Sequence, residues 1–114
     1  MSPRAKRSDR TEISALVFAA LGDQTRLTLV AKLASGQAYS ISQLAQGSRV
    51  TRQAVRKHLR VLEKAGMVRG VRHGREHRFA FDPRPVRDVR QYLDFVSAQW
   101  DQALGRLQAF VERE

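Results

Sequence analysis

The chain reads as a mainly α domain carrying one small β-hairpin, an α+β fold. Three observations lead there. Apolar residues recur at helical spacing along most of the 114 residues. One short stretch, 77–81, alternates instead, and a Gly-containing turn precedes it. Glycines and small polar capping residues divide the rest into separate helices. A chain of this length suits a single domain with its own core.

The elements follow in order. Residues 1–11 lack apolar periodicity and hold four basic side chains, so a flexible basic arm is expected. Residues 12–111 form the domain. Ile13, Leu16, Val17, Ala20 and Leu21 mark the first helix, which Gly22 ends. Asp23 caps the second, whose buried stripe is expected to be Leu27, Val30 and Leu33, beside Ala31 and Ala34. Gly36 closes it. In the short third helix, Ser40 and Gln43 have capping-box spacing, Ile41, Leu44 and Ala45 share a face, and Gly47 is a natural stop. Thr51 caps the fourth helix and Gly66 ends it. The hairpin turns at His73-Gly74-Arg75-Glu76, and His77, Phe79 and Phe81 alternate along its second strand. Its first strand alternates poorly, because Val68 and Val71 have opposite parity, and Gly70 suggests a bulge. Pro83 and Pro85 start a long fifth helix. Its stripe is Val86, Val89, Leu93, Val96, Trp100, Leu104, Leu107 and Val111.

Two helices joined by a short turn make a helix-turn-helix, and a hairpin directly behind them makes a wing. About five helices plus a two-stranded wing are expected. The charge fits that order. The chain holds 21 Lys+Arg and 11 Asp+Glu, a net charge of +10. Ten basic residues against two acids fall within 49–78, so +8 of that +10 lies in the fourth helix and the hairpin. A polyanionic partner is indicated, nucleic acid before an anionic membrane surface.

At about 100° per residue, Val55, Leu59 and Leu62 share the inner side of the fourth helix. Gln53, Arg56, Lys57, Arg60 and Lys64 share the outer side. Gln53 and Arg56 lie in the first turns, where a recognition helix meets base edges; Gln can pair with adenine and Arg with guanine. Arg60 and Lys64 suit phosphates, and Arg52 either role. Thr51, Arg72, His73 and Arg75 complete the expected DNA-binding set. The competing reading is an ordinary solvated basic face.

At these residues the sequence resembles the ArsR/SmtB family of bacterial winged-helix transcriptional regulators. "FAALGDQTRLTLVAKLASG" is similar to the family's opening pair of helices. "SISQLAQGSRVTRQAVRKHLRVLEKAGMVRGVRHGREHRF" is similar to its helix-turn-helix and wing. The resemblance covers roughly Phe18 to Phe110. It implies a homodimer on a palindromic double-stranded operator, repression, and release by an effector. Neither usual metal site carries over. The short helix has no cysteine, and the last helix has aspartates but no histidine. A member without the family's metal-sensing residues is expected, with no cofactor and an unidentified small-molecule effector at most.

The histidines do not change this. His58 sits at the edge of the inner face and suits packing or a phosphate bond. His73 and His77 flank the turn without the further ligands a metal needs. Tyr92, Phe95, Val96, Trp100, Ala103, Leu107 and Phe110 make the last helix wider in apolar surface than one small core requires. A dimer interface is expected there, with Ile13, Leu16 and Val17 of the first helix.

No cysteine means no disulfide and no thiolate chemistry. No nucleophile–base pair, Gly-rich phosphate loop or HExxH motif is present, so an enzyme is not expected. No apolar run approaches a membrane span or signal-peptide core, so no membrane association is expected and the cytoplasm is the expected location. The reading is a homodimeric, sequence-specific DNA-binding repressor. The alternatives are a nonspecific or RNA-binding winged-helix protein, or a winged-helix protein-interaction module.

Overall fold

The computed structural model describes residues 15–113. The basic arm and Ile13 lie outside them. Residues 15–21 are helical (α1), followed by α2 (Gln24–Leu33), β1 (Tyr39–Ser40), α3 (Ile41–Ala45), α4 (Arg52–Lys64), β2 (Val68–His73), β3 (Glu76–Phe81) and α5 (Arg84–Glu112). Helices α3 and α4 are the helix-turn-helix; β2 and β3 are the wing.

The caps form as the sequence reads. Asp23 Oδ2 accepts from the Arg26 N–H at 3.0 Å. Ser40 Oγ accepts from the Gln43 N–H at 3.2 Å, and Gln43 Oε1 accepts from the Ser40 N–H at 2.8 Å, a complete capping box. Thr51 Oγ1 accepts from the Ala54 N–H at 3.1 Å. Helix α4 ends on Gly66 at φ +74, with Gly66 N–H on the Glu63 carbonyl and Met67 N–H on the Leu62 carbonyl. That is a Schellman close, and it delivers Met67 fully buried beside Leu62. Asp82 starts α5: its Oδ1 accepts from the Arg84 N–H at 3.0 Å, with Pro83 following it at a position that needs no donor.

One core joins these elements. Val17 and Ala20 come from α1, Leu29 and Leu33 from α2, Leu44 from α3, and Val55, Leu59 and Leu62 from α4. Met67, Val68 and Phe79 close it from the wing base, and Val89 from α5. Each fully buried aliphatic side chain contributes about 1.5–3 kcal/mol relative to exposure.

Four expectations are corrected. The sheet has three strands, ordered β1-β3-β2, where two were expected. Tyr39 pairs with Phe79 and Ser40 with Arg78, so the α3 capping residue also closes a strand. The wing register runs unbroken from Val68↔Phe81 to His73↔Glu76, so there is no bulge at Gly70. Instead the His77 ring lies across Gly70, where an added Cβ would come within 2.5 Å of Nε2. In α2 the buried side chains are Leu29 and Leu33; Leu27 is 46% exposed, because the helix turns its 29/33 edge inward. Val17 is fully buried inside this protomer, which removes it from any interface with another chain.

Candidate nucleic-acid interface

Helix α4 divides as its periodicity requires. Val55, Leu59 and Leu62 are each at most 1% exposed and hold it to the domain. Arg52, Gln53, Arg56, Lys57, Arg60 and Lys64 are all exposed on the other side. Its first turn holds Arg52 and no acid. A cation beside the positive end of a helix disfavours the isolated helix, and the same end favours an approaching anion. Thr51 is exposed at that end, with its Oγ occupied by the cap.

The wing projects from the same side. It turns in two residues, Gly74 at φ +65 and Arg75 at negative φ, a glycine-first hairpin turn. Arg72, His73 and Arg75 are exposed at the tip. Only Val68 is buried on β2, so the rest of that edge strand, Arg69 and Arg72 included, is open. This explains its poor alternation: the strand leaves the core after one residue.

Not every cation here is free to meet a partner. Arg78 Nε and Nη2 both bond Glu76 Oε2, each at 2.9 Å. That pairing holds the Glu76 carboxyl below its usual range. At the wing base, Arg84 grips both oxygens of Asp82, whose pKa falls to about 2, first through the side-chain bonds and then through the Arg84 N–H.

Between α4 and the wing runs an open cleft of about 460 Å³. Arg56 and Arg60 line one wall, His77 and Glu76 the other, and Ser40 and Ser42 its end. The sequence reading did not place Ser42 or His77 at this surface. Their signal is tertiary: β1 pairing draws the start of α3 against β3. The His77 and Phe79 rings stand 4.8 Å apart, tilted by 38°, so His77 packs as well as faces the cleft.

Among the described residues no group of three metal-binding side chains comes together. None of their helices is long and apolar enough to cross a membrane.

A capped two-helix unit with an outward basic face and a basic two-stranded wing defines a winged helix-turn-helix DNA-binding regulator. The known proteins to which the chain is similar are of that kind. Residues 21–71 match a family described as a helix-turn-helix domain. An HTH-type transcriptional regulator of Bacillus subtilis (strain 168), YuzN, is 33% identical over 79 residues, which span 64% of this chain and 86% of that protein. An ArsR-like transcriptional regulator from Rhodococcus sp. RHA1 superposes with a TM-score of 0.81 at 35% identity, over 90% of this chain and 94% of that one. A possible transcriptional regulator for arsenical resistance superposes with a TM-score of 0.61 at 33% identity, over 80% and 91%. The chain belongs to the ArsR family of DNA-binding transcriptional regulators.

Proposed function

We propose that the protein is a repressor that binds a palindromic operator as a homodimer. The observation that carries this is the pair of outward faces, basic on α4 and apolar on α5. Among the apolar residues of α5, only Val89 is buried; Phe95, Trp100, Leu107 and Phe110 are each about 60% exposed. A chain that keeps so much aromatic and aliphatic surface in water calls for a second copy. Leu16 of α1, 53% exposed, extends the same interface. Tyr92, Val96 and Ala103 belong to it. In a twofold dimer, two copies of α4 would meet successive major grooves roughly 34 Å apart.

On this reading Gln53 and Arg56 face base edges, with Arg52 beside them. Thr51, Lys57, Arg60, Lys64, Arg72, His73 and Arg75 face the sugar–phosphate backbone. Phosphate contacts position the protein; the two base-facing side chains discriminate. The chain's lack of cysteine excludes a thiolate sensor, so any inducing signal has different chemistry.

Selection of bound sites from random duplex DNA, with sedimentation of the free and bound protein, tests the reading. A dyad-symmetric consensus bound by two copies is expected. Equal affinity for random duplex would instead make it a nonspecific binder. Preference for single-stranded or structured RNA would make it an RNA-binding protein. A persistent monomer at micromolar concentration would sink the dimer.

A further inference from the structure

The polar contacts between the first two helices and the recognition helix converge on Arg26. Its Nε donates to the Ala20 carbonyl and its Nη2 to the Ala19 carbonyl at 3.4 Å, so it closes the end of α1. Its Nη1 stands 3.2 Å from His58 Nδ1 on α4. An arginine only donates, so Nδ1 accepts and the ring proton resides on Nε2. Asp23 completes the group. Its Oδ2 takes the Arg26 N–H at 3.0 Å and lies 3.8 Å from the same His58 Nδ1. Both partners are sheltered, with side chains 23% and 35% exposed for His58 and Asp23. His58 Nδ1 is thereby occupied from inside the protein.

We propose that Asp23, Arg26 and His58 form a positioning lock that sets the recognition helix relative to α1, and that it holds only while His58 Nδ1 carries no proton. A protonated ring would turn an N–H against the Arg26 guanidinium, donor to donor and cation to cation. The nearest acceptor is then Asp23 Oδ2, on a different bearing. Protonation therefore draws the ring from Arg26 toward Asp23 and shifts α4 against the end of α1. Asp23 and Arg26, both presented by α2, are the charged groups in contact with the ring among the described residues; α1 contributes the Ala19 and Ala20 carbonyls. The lock joins the helix expected at the dimer seam to the helix that reads DNA.

The test has two arms, and the first needs no DNA. Imidazole nitrogen–proton NMR of the free protein should show neutral His58 as the Nε2–H form. Acidification that protonates His58 should move the amides of 19–22 and 55–62 together with one midpoint. His58→Asn, whose side-chain oxygen mimics Nδ1, should keep the high-pH spectrum and lose that midpoint. An Nδ1–H tautomer, or α4 titrating while the end of α1 stays still, overturns the lock. The second arm rests on the DNA-binding reading. Binding to the duplex enriched from random DNA is compared for wild type and His58→Asn at about pH 8 and pH 5.5. Wild-type affinity relative to the variant should fall roughly tenfold, a size typical of coupled sites. The wing histidines are common to both proteins, so the ratio isolates His58. An unchanged ratio overturns the positioning role; a protein that binds no duplex overturns the functional reading instead and leaves the first arm to decide the lock.

Discussion

Helices α4 and α5 are both amphipathic, and they present opposite surfaces to water. In α4 three large side chains are sealed and the outward face is arginine, lysine and glutamine. In α5 one residue of 29 is buried, and an aromatic and aliphatic stripe stays exposed beside the helix's polar residues. A helix that spends its apolar residues on its own core has only polar groups left to offer a partner. A helix about 43 Å long, anchored near one end, keeps most of its apolar stripe for another protein surface. The two faces therefore call for two different partners, a polyanion and a second chain.

That contrast can be broken most severely inside α4. Leu59→Ala should lower unfolding stability by about 2–5 kcal/mol, since a sealed leucine leaves a cavity. Leu93→Ala, on the half-exposed stripe of α5, should cost the monomer far less. Comparable losses in dilute-monomer denaturant unfolding would contradict the assigned division of core and interface.

The next effect is on assembly. Trp100→Asp should weaken dimerisation by more than about 2 kcal/mol, the scale of a buried aromatic anchor. Sedimentation should then show monomer at micromolar concentration, with operator binding reduced at least as much. A stable dimer would move the interface elsewhere.

On α4 the base-facing and phosphate-facing residues should separate. Arg56→Ala is expected to lose about 1–3 kcal/mol on the selected site and little on random duplex. Arg60→Ala and Arg75→Ala should weaken both DNAs alike and lower the salt-dependence slope by about one each. Equal losses for Arg56→Ala on both DNAs would remove it from base reading.

The smallest effect concerns the junction of wing and α5. Asp82 has a folded pKa of about 2, lowered by Arg84. A lowered carboxylate value gives stability that is present above the unfolded value, near 3.9, and lost as pH falls through about 2. Asp82→Asn should therefore lower stability at neutral pH, where the ion pair is intact, and converge with wild type as pH falls through that window. Thermal melts across that range provide the check.

How much was legible depended on whether a residue's neighbours were local. The inner and outer sides of α4 follow from spacing alone, because Val55, Leu59 and Leu62 have no rival phase. In α2 both Leu27 and Leu29 sit at helical spacing from other apolar residues, and packing chose the second. Strand β1 is two residues long and shares Ser40 with a helix cap, so nothing local announces it. Val17 and Leu16 are adjacent and equally apolar; only the closed core shows that one faces inward. At the site, exposure of the α4 side chains follows from spacing, whereas the cleft-facing His77 and the Arg26–His58 contact arise from pairing across the sheet and between helices.

The short pairing of β1 with β3 has a mechanical consequence. A free hairpin would swing about its base like an antenna. Two rungs at Tyr39 and Ser40 fasten this one to the start of the helix-turn-helix, so wing and recognition helix behave as the jaws of a caliper with a set opening. Sequence drift at the tip changes what the jaw touches. Drift at Tyr39 or Phe79 would change the opening itself, and with it the groove that the pair can grip.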